Sequence, residues 1–252
     1  MYRHQGKART MKDNLRIAIV LSFVAGIVNV TGFLFLKQLT TNVTGHFALF
    51  INEVANFEFW KGTVYFLYIF SFLLGSFISS FLIETFRKTK RLNVYVIPVL
   101  IESFILVFAA VLGSLVIYDY PDLIACLLLF SMGLQNSYVT KVSDAVVRTT
   151  HLTGLFTDLG IELSYLFFKK RYPKRKKIKN SIRLRIYIIS FFFLGGLFGG
   201  FVYSTLDFKM YTLIIGAVVL IFNLLYDGMK YRIILLKRSD FREKLRMGGK
   251  EG

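Results

Sequence analysis

The chain is 252 residues long, 55% apolar and 17% aromatic, with 27 Phe, only 3 Pro and 19% charged residues, and its mean hydropathy is +0.56. That profile excludes disorder and fits badly with an ordinary soluble domain; at roughly 20 residues per crossing, about six membrane spans use up the length. A net charge of +17 would suit a nucleic-acid binder. The 32 Lys and Arg, however, fall in clusters between long apolar runs, at Arg3 to Arg16, Arg87 to Arg91, Lys169 to Arg185 and Lys230 to Lys250, so the expected partner is a lipid bilayer and not a nucleic acid.

In chain order, a basic N-terminus (1–14) precedes a first apolar run, Leu15 to Leu36. It is 22 residues long and no small-residue cleavage site follows, so a retained span is expected and not a signal peptide. Five further runs qualify: Trp60 to Ile83, Val94 to Tyr118, Leu123 to Val139, Ile186 to Leu206 and Met210 to Tyr226, the fourth and sixth of the set being short. Between them, Gly45 to Phe57 and His151 to Phe168 have helical patterning but are poor spans, through length or through Glu53, Asp158 and Glu162. They are expected as interfacial or re-entrant helices, which are tolerable at depth only where protein or a wet cavity satisfies their ends. The single Cys126 excludes an intrachain disulfide and a redox or zinc cysteine cluster.

Orientation follows from the connecting charges. With the N-terminus inside, the loops at 84–93 and 140–185 and the basic tail at 231–252 are also inside, and only Lys37, Lys61 and Lys209 fall outside, beside Glu53, Glu58, Asp119, Asp122 and Asp207. The bias predicts six spans with both termini cytoplasmic, in a single membrane domain over 15–230. The basic stretch at 169–185 reads as orientation plus attraction to anionic lipid.

Three short motifs recur in the same order. GIVN at Gly26 to Asn29 matches GLQN at Gly133 to Asn136, TTNVTG at Thr40 to Gly45 matches TTHLTG at Thr149 to Gly154, and GSFISSF at Gly75 to Phe81 matches GGLFGGF at Gly195 to Phe201. The offsets are 107, 109 and 120 residues. This predicts an all-α membrane protein of two three-span halves, 15–118 and 123–230, each with a short interrupted or interfacial helix after its Thr-Gly motif. Because three is odd, the halves must be inverted, an architecture shared with secondary transporters; architecture alone does not establish transport.

GIVNVTGF (Gly26 to Phe33), TTNVTGH (Thr40 to His46), MGLQN (Met132 to Asn136) and, most specifically, RTTHLTGLFTDLG (Arg148 to Gly160) resemble the YoaK family of bacterial multi-pass membrane proteins, a conserved domain of unknown function. The resemblance covers roughly residues 15 to 230. It implies a six-span inner-membrane protein, often supposed to be a small-molecule transporter. The family pattern more usually has Asp at the position of Asn29 and Asn at that of His46, and the first departure removes a titratable group.

Several residues are candidates for function. Thr41, Asn42, Thr44, Gly45, Thr150, Thr153 and Gly154 sit where a Thr-Gly helix start could cap a short helix and still present N–H groups to an anionic or polar ligand; capping and close packing alone are the alternative. Asn29, Gln135 and Asn136, with Asn223, are amides inside spans, where they either line a path or bond across helices; Asn29 and Asn136 are equivalent in the repeat and could face each other. Glu102, deep in the third span, and Asp158, four residues before Glu162, are proton-coupling candidates. A charge at the bilayer centre costs about 2.5–3.5 kcal/mol on insertion scales, so such a group usually has a role. For Asp158 and Glu162 a solvated face is the competing reading.

Gly75 with Ser79, and Gly195 with Gly199, are small-residue pairs for helix packing, within the fold or in a homodimer. His4, His46 and His151 are too dispersed for a metal site, and the sequon Asn42-Val43-Thr44 reads as chance. No GxSxG, HExxH, P-loop or Rossmann pattern is present, so neither catalysis nor a cofactor is expected. The expectation is a bacterial inner-membrane transporter or exporter of a small polar or anionic solute. The alternative is a non-transporting scaffold or sensor that binds lipid or a protein partner.

Overall fold

The computed structural model describes residues 10–87, 94–115, 120–168 and 175–229. Their regular structure is helical: α1 (Met11–Leu36), α2 (Thr44–Ala55), α3 (Phe59–Phe86), α4 (Val96–Leu115), α5 (Pro121–Ser143), α6 (Leu152–Tyr165), α7 (Arg175–Ser204) and α8 (Lys209–Met229), which opens with a 3-10 turn at Lys209–Tyr211. Six of these, α1, α3, α4, α5, α7 and α8, are long and apolar enough to cross a membrane. The two segments read from sequence as non-spanning are the short helices α2 and α6. The basic tail, His4, the first nine residues and most of the connection around Arg91 lie outside the described residues.

Boundaries depart from the apolar runs for local reasons. α1 starts at Met11 because Thr10 and Asp13 form a capping box, with Thr10 Oγ1 accepting from the Asp13 N–H and the Asp13 carboxylate accepting from the Thr10 N–H. α5 is not short: Pro121 occupies its first turn, where a missing N–H is harmless, and it runs on through Lys141 until Asp144 turns left-handed at φ 54°. α7 begins at Arg175, well before Ile186, because Lys and Arg propagate a helix as well as Leu does.

The outward surface is apolar. Phe66, Phe70, Phe77 and Phe81 on α3, Phe193 and Phe201 on α7, and Phe222 on α8 are all exposed. In water such a surface would drive aggregation; in hydrocarbon it is an ordinary lipid face. The core sits on α1 and α5, of whose apolar stretches 50% and 61% is buried, against 22% for α3 and 28% for α7.

Lipid-embedded helices gain no hydrophobic drive from meeting each other, so close packing must hold them. Two glycine-lined seams do this. On the α1–α7 seam a Cβ at Gly26 would overlap the Phe192 carbonyl oxygen, and one at Gly195 would overlap that of Phe23. On the α3–α5 seam a Cβ at Gly75 would overlap the Phe130 carbonyl oxygen, and one at Gly133 that of Phe72. Gly199 backs onto Ile27, where a Cβ would stand 3.1 Å from Cα. Gly75 and Gly195 are therefore consumed inside the fold, and the faces they lie on are closed to a homodimer.

Candidate functional site

Each short helix is reached by a connection that folds back along a long one. After α1 ends, with Lys37 left-handed at φ 58°, the chain returns beside α1: Thr40 Oγ1 donates to the Val28 carbonyl at 3.2 Å and Thr41 Oγ1 to Asn29 Oδ1 at 2.8 Å. Gly32 makes room, since a Cβ there would meet Thr40 at 2.5 Å. After α5 the same happens: Gln135 Nε2 donates to Thr149 Oγ1 at 3.0 Å and Thr150 Oγ1 to Asn136 Oδ1 at 2.8 Å. Asn29 and Asn136 are thus each held by the second Thr of the nearby connection. Residues 29 and 136 lie seven residues from the C-terminal ends of α1 and α5, about 10 Å at 1.5 Å per residue.

From these anchor points each short helix packs antiparallel to the next long one. α2 is antiparallel to α3: His46 stacks near Tyr65 and Tyr68, whereas Val54 meets Gly62 near the start of α3. α6 is antiparallel to α7: Asp158 and Glu162 reach Arg185, Glu162 also accepts from Ser181 Oγ at 2.6 Å, and Arg175 donates to the Leu166 carbonyl. The Arg185 pair is forked, 2.9 Å to Asp158 Oδ2 and 2.9 Å to Glu162 Oε2, a geometry that Lys could not reproduce.

The expected Thr cap is absent at both helix starts. Thr44 and Thr153 lie in the first turns of α2 and α6 with exposed side chains, and the capping positions are Val43 and His151, neither with a side-chain bond. At α2 the nearest substitute is Asn42 Oδ1, which accepts from the Gly45 N–H at 3.2 Å. At Gly154 a Cβ would overlap the His151 ring.

A cavity of about 680 Å³ runs along α6 from His151 to Asp158, walled by the N-terminal turn of α1, the 145–148 connection and the first part of α7, Lys177 to Arg185. Its polar lining includes Arg148, His151, Lys177, Asn180 and Arg185, with Asp158 on the same wall. Arg185 is more than balanced by its two acids, Asp158 and Glu162. Arg148 and Lys177 make no ion pair with a described residue, so the cavity carries a small cationic surplus, spread along α6 and not gathered at its first turn, which favours an anion.

Glu102 is fully buried and lies apart from that cavity's lining. Tyr138 Oη donates to its Oε2 at 2.7 Å, while Oε1 meets no described partner. Gln135 is likewise buried, with Nε2 shared between the Leu21 carbonyl and Thr149, and Oε1 without a described partner. Asn223 is buried and has a partner. Among the described residues no three His, Cys, Asp or Glu side chains gather as a metal ion would require.

Of the path and proton-coupling candidates from sequence, Gly154 and Asp158 line the cavity. Thr41, Asn29, Thr150, Asn136 and Gln135 form the two hydrogen-bonded anchors, and Gly45 with Asn42 the α2 start. Sequence reasoning passed over Arg148 and Lys177, whose basic stretches carried an orientation signal that masked any other use, and Tyr138, which nothing in sequence ties to Glu102.

Residues 17–226 match the family described as "Protein of unknown function (DUF1275)". The chain is similar to the "UPF0700 transmembrane protein YoaK" of Bacillus subtilis (strain 168), 28% identical over 174 residues that cover 68% of this chain and 76% of the relative. No solved structure matches.

Proposed function

The chain belongs to the DUF1275 family, proteins of unknown function, and within it we propose that this one is a bacterial inner-membrane transporter of a small polar or anionic solute. The observation that carries the reading is the cationic cavity beside α6, about 680 Å³ in volume. A cavity of that size admits a small solute, and a short helix forming one wall of a polar cavity within a bundle is a feature shared with transporters.

The reading includes two inverted halves, α1–α4 and α5–α8, each with one re-entrant helix. Its support is pairwise. The seam contacts interchange under the motif offsets: Gly26 on Phe192 answers Gly133 on Phe72, and Gly195 on Phe23 answers Gly75 on Phe130. The bonds Thr41–Asn29 and Thr150–Asn136 answer each other as well. Under the charge bias of the sequence the termini are cytoplasmic, and the cavity, lined by Met11 and Lys177, then opens to the cytoplasm. Glu102 with Tyr138 is the proton-coupling pair in this scheme, a fully buried carboxyl group held by a single phenol hydroxyl among the described residues.

One observation favours the scaffold or sensor reading instead: Thr41, Thr149 and Gln135 are buried and bonded, as packing would have them. Accessibility separates the two. With Cys126 replaced by Ala and single cysteines at Thr44, Arg148 or Thr153, an impermeant thiol reagent is applied to vesicles of both orientations. Transport predicts that position 148 or 153 is labelled from the cytoplasmic side and, in a fraction of molecules, from the other. Labelling from one side under every condition would leave the scaffold reading.

A further inference from the structure

Of the two histidines among the described residues, His151 is exposed, whereas His46, in the first turn of α2, is only 2% exposed. Its Nε2 lies 2.6 Å from the Leu39 carbonyl oxygen, which can only accept, so Nε2 carries the hydrogen and Nδ1 is the bare nitrogen. The ring of Tyr68 stands at 75° to it with centroids 5.1 Å apart, and that of Tyr65 lies nearly parallel at 6.4 Å. Nδ1 is buried and has no described partner. The residues that follow Leu39 are Thr40 and Thr41, which fasten the connection to α1 at Val28 and Asn29. His46 therefore clasps the start of α2 both to α3 and to the anchored connection that leads into it.

The surroundings offer Nδ1 no acceptor for a proton. α3 presents the phenols of Tyr65 and Tyr68, and the Glu58 and Lys61 at its start pair with each other, at the level of Val54 rather than His46. α5 brings Asp122, which accepts from Tyr68 Oη, and the thiol of Cys126, packed against Tyr68. On α2 itself Glu53 is seven residues on, about 10 Å along the helix, and the connection carries the exposed cation Lys37. An imidazolium at position 46 would thus be bonded at one nitrogen only, at the positive end of the α2 dipole. The attraction of two tyrosine rings is smaller than the hydration such a charge would lose. We propose that His46 is a pH-sensitive latch: neutral, it holds the start of α2 on α3 and on the Leu39–Thr41 connection; protonated, it lets that start go to water. By the charge bias of the sequence this end of the bundle faces away from the cytoplasm, so the latch reads external pH. It does not depend on what the cavity beside α6 binds.

The sign follows from the proton count. Docked α2 keeps the imidazole neutral, and released α2 lets it take up a proton near the ordinary value of about 6.5. The latch is closed well above that pH, and below it the ratio of released to docked α2 rises by up to about ten-fold per unit. Hydrogen–deuterium exchange of the full-length protein in nanodiscs, expressed as protection factors over residues 44–50, tests this. Wild type is expected to lose about thirty-fold in protection between pH 8 and pH 5, while residues 68–80 of α3 keep theirs. His46→Gln retains an N–H for the Leu39 carbonyl and cannot be protonated, so it should show at pH 5 the protection it has at pH 8; His46→Asn takes its place if that variant does not fold. Asp122→Asn should leave the wild-type curve where it is. The latch is overturned by unchanged wild-type protection down to pH 5, or by the same loss in His46→Gln as in wild type. A response abolished by Asp122→Asn, which would give the proton to Asp122, overturns it as well, and so does a parallel loss over 68–80, which would be unfolding of the bundle.

Discussion

Gly133 and Gly160 are both helical, and their surroundings set opposite consequences for the same substitution. A Cβ at Gly133 would overlap the Phe72 carbonyl oxygen, a backbone atom that yields only if α3 and α5 part, whereas nothing lies within 4 Å of one at Gly160. Gly133→Ala is therefore expected to destabilise by the 1–3 kcal/mol or more of an overpacked core. Gly160→Ala should stabilise by about 0.5–1 kcal/mol through reduced backbone freedom; thermal melts in detergent compare the two. A second contrast concerns the threonines. Thr41→Val and Thr150→Val each leave an Asn Oδ1 without its donor and should cost about 1 kcal/mol apiece, while Thr44→Val and Thr153→Val, at exposed first-turn positions, should leave the melt unchanged.

The two short helices are built alike yet fastened differently. α2 lies on α3 largely through His46 and aromatic contacts, whereas α6 is tied to α7 by the Arg185 fork and the Glu162–Ser181 bond. Arg185→Gln strips both acids of their cation, leaving Glu162 only its Ser181 bond, and should loosen α6. Its expected readout is faster thiol labelling of a cysteine at position 153, with Arg185→Lys restoring only part of the protection. The elements themselves were readable in advance. Long apolar runs name spans whatever the tertiary structure, and the acids Glu53, Asp158 and Glu162 marked the two segments that do not span. Helix ends were less readable, because Thr10, Pro121 and the basic residues from Arg175 act through capping and propensity and not through hydropathy. The cavity was not readable, since Met11, Arg148 and Lys177 meet only when α1, α6 and α7 assemble. The Glu102–Tyr138 bond joins residues 36 apart for the same reason.

For the whole molecule, Glu102 is the residue whose removal most directly separates stability from coupling. Glu102→Gln keeps an acceptor for Tyr138 and removes the cost of a buried ionisable group, so insertion and melting should be unchanged or improved. If the protein is proton-coupled, substrate movement into vesicles should fall to background and lose its pH dependence; normal uptake with an unchanged pH profile would dispose of that role. The glycine seams carry a different consequence, for synthesis. α1 leaves the ribosome well before α7, yet the surface it closes against belongs to α7, and α3 likewise depends on α5. Neither seam can form within 1–115 alone, so a nascent chain stopped there should present bare backbone faces and be degraded. The two halves made as separate polypeptides and inserted together should rescue each other. Assembly of this protein is thus a late event, reached only after α7 has entered the bilayer.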